Sequence, residues 1–184
     1  ADTINAPPAL LTDSIAALRV MHKVKPDVVP VFVAGHSLGE YSALVAADAM
    51  DFVDALKLVR ERGRLMKEAG ETMPGAMASV LGLDEAALEA VCNEAGAQIA
   101  NYNNPGNIVI SGTRESIERL GALAKARGAR RVIVLAVSIA SHSRLMEQAA
   151  KEFATAVEQT PIRAPRVPVI SNVTAQPLGD INAI

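Results

Sequence analysis

Apolar residues recur along this chain with two different spacings. From Pro8 to Met21 they return every three or four positions, which predicts a helix, and the same spacing predicts helices at Glu40–Met50 and Asp51–Ala69. Residues 28–34 instead form an unbroken apolar run of strand length, which is typical of a strand covered on both faces in a parallel sheet. A last strand is predicted at residues 167–170. This alternation of strands and helices predicts an α/β core.

The middle of the chain has a different order of elements. The pattern predicts, in order, a strand at 76–81, a helix at 84–94, strands at 98–100 and 107–110 joined by a Pro105-Gly106 turn, a helix at 114–127 and a strand at 131–137. This β-α-β-β-α-β order is the ferredoxin-like one. We therefore expect an α/β core at residues 1–73 and 137–184, with a further helix at 144–159, interrupted by a ferredoxin-like α+β subdomain at residues 74–136.

Composition and charge exclude several classes of function. The 184 residues carry a net charge of −2, so the chain lacks the basic stripe of a nucleic-acid-binding protein. No apolar run is long enough to span a bilayer, and the first residues have no signal-peptide pattern. Cys92 is the only cysteine, which excludes an intramolecular disulfide and favours a reducing, cytoplasmic location. Because the chain lacks an initiator Met and stops at Ile184 soon after a predicted strand, we expect it to be part of a larger protein.

The segment Gly35-His36-Ser37-Leu38-Gly39 joins a predicted strand to a predicted helix. Gly-x-Ser-x-Gly in this context is the nucleophile-elbow signature of a hydrolase-like parallel-sheet core. A nucleophilic serine needs a tight turn that projects its Oγ above the sheet, and the two glycines would leave room for close packing of strand and helix. The Leu38 N–H would then face an oxyanion, aided by the positive end of the helix. The alternative is a plain glycine-rich turn in which Ser37 only caps the helix.

A serine nucleophile requires a base, and the chain has three histidines. His22 ends the first predicted helix, where a surface or capping role is expected. His36 is adjacent to Ser37, and because neighbours on an elbow point apart, packing or support is the better interpretation. His142 lies in a loop after a predicted strand, where α/β sheets place catalytic groups. It is the predicted base, with a helix cap as the alternative. No acid stands out between Ser37 and His142, which predicts a Ser-His dyad oriented by another group.

Arg62 interrupts the apolar stripe of the predicted helix at Asp51–Ala69. Continuing that stripe by the helical spacing lands on position 62, whereas Arg60 and Arg64 fall on the solvated side. An inward-facing arginine must find an anion, since an unpaired buried charge is costly, and its planar guanidinium suits a carboxylate. Two interpretations remain open. Either a protein acid pairs with Arg62, or a pocket receives a substrate that carries a carboxylate, which would distinguish a handler of dicarboxylic acyl groups from a general esterase.

Several stretches match one family, in the same order, along nearly the whole chain. They are Ala9–Leu11, Gly35–Leu44, Arg62–Met66, Gly75–Ala78, Asn103–Gly112, Ser141–Met146 and Val169–Val173. On these motifs the chain resembles the malonyl-CoA:acyl carrier protein transacylases of fatty-acid synthesis, or the equivalent acyltransferase domains of polyketide synthases. The resemblance also implies the inserted ferredoxin-like subdomain that the order of elements predicts independently.

The resemblance implies a role for each candidate residue. Ser37 accepts the malonyl group from coenzyme A as an ester, His142 removes the serine proton and later activates the phosphopantetheine thiol of acyl carrier protein, and Arg62 holds the malonyl carboxylate. The Leu38 N–H is one oxyanion donor. Three further positions belong to the implied substrate pocket, namely His36, Met66 and Ser141. The implied reaction is ping-pong, requires no metal or bound cofactor, and takes malonyl-CoA and phosphopantetheinylated acyl carrier protein as substrates.

The chain departs from the family pattern in three places. The family opens with a strand and a Gly-Gln-Gly loop whose glutamine helps form the oxyanion hole, and this chain begins after that loop. Without that glutamine we expect only half of the oxyanion hole here. The family's C-terminal portion supplies the partner that orients the histidine, and this chain ends before it, so the missing acid is expected. Asn107 stands where the family usually has glutamine. In addition, the small Ser141 leaves room for an α-substituent, so both malonyl and substituted malonyl groups stay open.

The carrier protein of such enzymes is usually acidic, so a basic rim is expected. Arg127, Arg130 and Arg131 cluster at the end of the subdomain's second helix, and ordinary solvated arginines are the alternative interpretation. We expect a monomer or a part of a larger synthase. Two other functions stay open: a serine hydrolase or thioesterase with the same elbow, and a catalytically incomplete fragment of a transacylase.

Overall fold

A computed structural model describes residues 4–178 of the chain. These residues contain six α-helices and seven β-strands in two separate sheets, so the mixed α/β class is confirmed. The fold has two units, one formed by Leu65–Glu152 and the other by the residues up to Arg64 and from Phe153 onwards. Two of the helices, α3 (Phe52–Thr72) and α6 (Glu147–Glu158), continue from one unit into the other.

The unit Leu65–Glu152 contains one four-stranded antiparallel sheet. Its elements are β2 (Gly75–Leu81), α4 (Glu85–Ala95), β3 (Gln98–Asn104), β4 (Asn107–Thr113), α5 (Arg114–Ala126) and β5 (Arg131–Val134). The strand order is β3-β4-β2-β5, which places the first strand of the unit between the third and the fourth. Leu88, Ile110 and Leu120 are fully buried in its core, because each comes from the apolar face of its own helix or strand.

Local signals fix the ends of these elements. The Asp84 carboxylate accepts the Ala87 N–H at 2.9 Å and caps α4, which ends at Gly96 in the left-handed conformation. The predicted turn at Pro105–Gly106 joins β3 to β4, with Gly106 at φ 81°. The predicted strand at 131–137 is too long, because the chain bends after Leu135, where the Val137 N–H bonds back to the Leu135 carbonyl.

The second unit contains a small sheet of three two-residue strands. Its helices are α1 (Ala6–Val24) and α2 (Gly39–Ala46), together with most of α3 and the second half of α6. Its strands are β1 (Val33–Ala34), β6 (Val169–Ile170) and β7 (Pro177–Leu178). β1 pairs with β6 in parallel, Val33 opposite Val169, and β6 pairs with β7 in antiparallel. Leu11, Met50 and Val59 are fully buried in its core. The parallel pair brings the carboxyl ends of β1 and β6 to the same edge.

The apolar run at residues 28–34 is not the buried strand that its composition predicts. Only Val33 and Ala34 join the sheet, whereas Val29, Val31 and Phe32 are 73%, 83% and 61% exposed. Pro30 has no N–H and therefore cannot donate to a sheet ladder, so the ladder begins only after it. An apolar run shows only that a segment is suited to burial, not that a partner strand is present. Among residues 4–178, β6 is the one strand that pairs with β1.

Cys92 lies in the core of the Leu65–Glu152 unit and is 3% exposed. Burial, with a smaller contribution from Glu89, raises the pKa of its thiol to about 11. A thiol with such a pKa is protonated at neutral pH, so Cys92 is a packing residue and not a second nucleophile. Within residues 4–178, no helix combines the length and the apolar character that crossing a bilayer requires.

Candidate active site

The turn between β1 and α2, residues 35–38, holds the predicted nucleophile, and we call it the Ser37 turn. Ser37 has a φ of 51°, in the left-handed region that L-residues with side chains seldom adopt. The Gly39 N–H bonds to the His36 carbonyl at 2.9 Å, and the Glu40 N–H bonds to the Ser37 carbonyl at 3.2 Å. Such a conformation costs about 1 to 3 kcal/mol and persists only where the surrounding structure imposes it. Ser37 is therefore held in a strained turn.

Gly35 and Gly39 flank the turn but have different environments. A Cβ atom on Gly35 would lie 2.0 Å from the Gly39 carbonyl oxygen and 2.1 Å from its carbon, so the first residue of α2 sits directly on Gly35. A Cβ on Gly39 would meet nothing within 4 Å. The expectation that both glycines make room for packing is therefore wrong for Gly39, because only Gly35 lies at the close approach.

Gly35→Ala and Gly39→Ala form a matched pair for testing this geometry. We expect Gly35→Ala to lower the free energy of unfolding by about 3 kcal/mol, since the added methyl group overlaps backbone that cannot move aside as a side chain can. Gly39→Ala should leave it unchanged or raise it by up to about 1 kcal/mol, because alanine favours a helix. Thermal unfolding of both variants gives the comparison, and equal midpoints would contradict it.

Arg62 contacts the predicted nucleophile directly. Its Nη2 donates a hydrogen bond to Ser37 Oγ at 3.1 Å, and the side chain is half-buried. The neighbouring Glu61 pairs with Arg64 instead, and that hydrogen bond lowers the pKa of the Glu61 carboxyl. Among residues 4–178, no carboxylate forms an ion pair with Arg62. The interpretation in which a protein acid pairs with Arg62 therefore finds no such acid in the part of the chain that the structure describes.

Tyr41 lies near Arg62, and its phenol is partly shielded from water. Burial raises the pKa of its phenol, and the positive charge of Arg62 offsets part of that rise. The Tyr41 ring also packs edge-to-face against Phe153, with 6.3 Å between ring centroids. A hydrogen bond to a charged guanidinium is worth more in such surroundings than in open water.

The start of α2 bears on two predictions, namely that Ser37 caps the helix and that the Leu38 N–H is an oxyanion donor. Leu38 is the N-cap residue of α2 and gives it no side-chain cap, whereas Ser37 Oγ accepts the Arg62 hydrogen bond. Within the described range, the Leu38 N–H donates to no other residue. It points from the first turn of α2, where the helix dipole is positive. His36 is exposed, and its carbonyl accepts the Gly39 N–H in the turn.

Asn172, which sequence reasoning did not single out, contacts the Ser37 turn at two points and α2 at a third. Its Oδ1 accepts the Ser37 N–H at 2.8 Å, and its Nδ2 donates to the Gly35 carbonyl at 2.7 Å. Its backbone N–H donates to Glu40 Oε1 at 3.0 Å. Asn172 follows β6, so the parallel pairing of β1 with β6 brings it to the turn. Its position in the matching stretch at residues 169–173 was the one signal in the sequence.

His142 lies in the other unit, in the segment between β5 and α6. Its φ is 59°, and its side chain is exposed. Of the four non-glycine residues with positive φ among residues 4–178, two are thus the predicted nucleophile and the predicted base. The helix-cap alternative for His142 is wrong, because Ser143 caps the short 3-10 turn at Arg144–Met146 through its Oγ.

Polar contacts fix the backbone on the C-terminal side of His142. Ser143 Oγ donates to the Ala140 carbonyl at 2.7 Å, and Gln98 Oε1 accepts the Arg144 N–H at 3.1 Å. Ser141 and Met66, both assigned to the implied substrate pocket, are half-buried in this unit. Strained, well-braced backbone of this kind is common at functional positions.

Three arginines of the predicted basic rim, Arg127, Arg130 and Arg131, are all exposed in the Leu65–Glu152 unit. Arg127 forms an ion pair with Glu94, which neutralises part of the rim's charge.

Asn107 stands at the start of β4, where its Oδ1 accepts the Ser79 hydroxyl at 2.8 Å. That bond joins two paired strands and gives the shorter amide a structural role. Among residues 4–178, no three side chains of the His, Cys, Asp and Glu type gather as a metal ion would require.

A comparison with family models settles the family. Residues 1–181 match the model described as the acyl transferase domain, which is nearly the whole chain. The chain belongs to this family. Its Ser37 turn, Arg62 and His142 are therefore positions within an acyl transferase domain.

Individual relatives are named more narrowly. The chain is 47% identical over 170 residues to the malonyl CoA-acyl carrier protein transacylase of Escherichia coli, covering 90% of this chain and 55% of the relative. It is 51% identical over 179 residues to the protein of the same name from Bacillus subtilis, covering 94% of this chain and 56% of the relative. The chain therefore spans little more than half the length of these curated relatives.

Solved structures give the same picture. The FabD structure from Acinetobacter baumannii superposes with a TM-score of 0.93 at 44% identity, over 98% of this chain and 59% of that one. A malonyl-transacylase in complex with its type II polyketide-synthase acyl carrier protein, PlMCAT with AntF, superposes with a TM-score of 0.93 at 41% identity, over 99% of this chain and 60% of that one.

Proposed function

We propose that this chain carries the nucleophile of a malonyl-CoA:acyl carrier protein transacylase. The observation that carries the proposal is the 3.1 Å hydrogen bond from Arg62 to Ser37 Oγ, in a domain of the acyl transferase family. In a malonyl ester, one methylene separates the ester carbonyl from the free carboxylate. A guanidinium that already contacts the serine oxygen is therefore within reach of that carboxylate once the ester has formed.

Ser37 is the proposed nucleophile and the Ser37 turn its elbow, within a hydrolase-like core at residues 1–73 and 137–184. Its Oγ attacks the thioester carbonyl of malonyl-CoA while His142 takes the hydroxyl proton, and coenzyme A leaves as the thiol after receiving that proton. The oxyanion of the tetrahedral intermediate accepts the Leu38 N–H, which has no acceptor among the described residues. The product of this half-reaction is a malonyl ester on Ser37.

In the second half-reaction the phosphopantetheine thiol of acyl carrier protein attacks the ester. His142 removes the thiol proton and returns it to Ser37 Oγ as the ester bond breaks, so the free enzyme is restored. The proposed substrates are thus malonyl-CoA and the holo carrier protein, and no resident cofactor takes part. A relative in the comparison above is seen in complex with its carrier protein, which supports a carrier protein as partner.

Arg62 selects acids over neutral acyl groups in this proposal. His36, Met66 and Ser141 line the acyl pocket, and the small Ser141 admits a modest α-substituent beside malonyl. The exposed arginines at 127, 130 and 131, in the proposed subdomain at 74–136, form the rim that meets the acidic carrier protein. Arg130 and Arg131 contribute most to that rim, because Arg127 already pairs with Glu94.

The proposal is tested by following the malonyl group. The protein is mixed with labelled malonyl-CoA, with and without holo acyl carrier protein, and the label is measured on the carrier and as free malonate. We expect label on the carrier thiol and little free malonate. Rapid release of free malonate with none on the carrier would instead identify a hydrolase, and release of no coenzyme A from a folded sample would identify an incomplete fragment.

A further inference from the structure

The amide of Asn172 spans the Ser37 turn from one side to the other. Its Oδ1 accepts the N–H of Ser37 itself, and its Nδ2 donates to the carbonyl of Gly35, two residues earlier. A primary amide presents a donor and an acceptor at a fixed separation, whereas a carboxylate lacks the donor and an aliphatic side chain lacks both. The asparagine therefore matches the Ser37 N–H and the Gly35 carbonyl, which it joins across the turn.

The backbone that carries this amide is itself fixed. The Asn172 N–H donates to Glu40 Oε1 at 3.0 Å, so the first turn of α2 holds the end of β6. Ser171, which is buried, accepts the Val173 and Thr174 N–H groups at its Oγ at 3.1 and 3.3 Å. The Ala175 N–H then bonds to the Ser171 carbonyl at 3.0 Å and closes the turn between β6 and β7. The amide thus projects from a rigid support.

Burial does not explain an asparagine at this position, because Asn172 is exposed. Its value lies in the contacts with the turn and not in core packing. The contact with the Ser37 N–H also has a chemical consequence. That N–H is already occupied by Asn172 Oδ1, so it does not donate to an oxyanion, and the Leu38 N–H is the donor that the turn offers.

We propose that Asn172 is a positioning residue for the acylation of Ser37. It holds Ser37 at its left-handed φ, so that Oγ and the Leu38 N–H keep their relative orientation while the oxyanion forms. This inference rests on the proposed acylation of Ser37. A displacement of a reacting group by about 1 Å can cost about a hundredfold in rate. Loss of the amide should therefore slow the chemical step without weakening the binding of malonyl-CoA.

The test compares Asn172→Ala with Gln176→Ala. Gln176 is an exposed amide in the same turn, and no side-chain hydrogen bond joins it to the rest of residues 4–178, so it is a matched control. Single-turnover loading of Ser37 is measured over a range of malonyl-CoA concentrations. We expect Asn172→Ala to lower the maximal loading rate by about ten- to a hundredfold. Its half-saturating concentration should stay within about twofold, and Gln176→Ala should load like the wild type.

Amide hydrogen exchange provides a readout that does not depend on activity. The peptide containing Ser37 should exchange faster in Asn172→Ala, because the Ser37 N–H loses its acceptor. Equal loading rates for Asn172→Ala and wild type would overturn this inference alone, as would a variant that changes only the half-saturating concentration. A folded wild-type protein that takes up no malonyl group would overturn the proposed function, and this inference with it.

Discussion

Arg62→Ala is expected to abolish the proposed preference of Ser37 for malonyl over acetyl groups. The variant should load malonyl about a hundredfold more slowly, because two charge-assisted hydrogen bonds to a carboxylate are together worth about 3 kcal/mol. Acetyl loading should change by less than about tenfold, since an acetyl group offers the guanidinium no anion. The measurement is the ratio of the two loading rates, taken from acyl-CoA competition.

Two further variants sharpen this comparison. Arg62→Lys keeps the charge but not the planar fork, so an intermediate ratio is expected. Arg60→Ala removes an exposed arginine two positions earlier on α3 and should leave the ratio as in the wild type. Because Arg62 also donates to Ser37 Oγ, both absolute rates can fall in Arg62→Ala. An equal fall for malonyl and acetyl would show that Arg62 supports the nucleophile and does not select the acyl group.

Loss of the proposed base, His142, should slow loading by about a hundred- to ten-thousandfold, which is the usual contribution of a positioned general base. Asparagine is the replacement of choice, because position 142 has a φ of 59° and asparagine tolerates the left-handed region better than alanine does. His142→Asn should therefore fold normally and bind malonyl-CoA while acylating slowly. Transfer from the ester to the carrier thiol should slow as well, since the same imidazole serves both half-reactions of the proposed mechanism.

His22→Asn is the matched control for His142→Asn. His22 is exposed in the last turn of α1, and its imidazole has no part in the proposed chemistry. Rapid-mixing measurement of coenzyme A release, with thermal unfolding of each variant alongside, separates an effect on chemistry from an effect on folding. If His142→Asn released coenzyme A at the wild-type rate, the base would have to be another group.

Elements with strong local signals were predictable from the sequence. Asp84 and Gly96 mark the two ends of α4, and Pro105–Gly106 marks the hairpin between β3 and β4, because each acts on backbone within a few residues of itself. The position of Ser37 between a strand and a helix was predictable for the same reason. The length of β1 was not, because Pro30 and the partner strand β6, not the apolar content, decide where the ladder begins.

The candidate site was predictable only where a residue is anomalous for its own element. Arg62 stood out because it interrupts an apolar stripe, and the structure places it on Ser37 Oγ. Asn172 did not stand out, since an exposed asparagine after a short strand is ordinary, and its partner Ser37 lies 135 positions away. Its role depends on the pairing of β1 with β6, which no local pattern in the sequence specifies.

Whether Ser37 accepts the acyl group is measured most directly by the mass of the peptide that contains Ser37 after incubation with malonyl-CoA. We expect one malonyl group on this peptide, located at Ser37 by fragmentation, absent from a Ser37→Ala variant and removed when holo acyl carrier protein is added. A folded protein that gains no mass on this peptide, or that gains the malonyl group at another residue, would contradict the claim that Ser37 is the acyl acceptor.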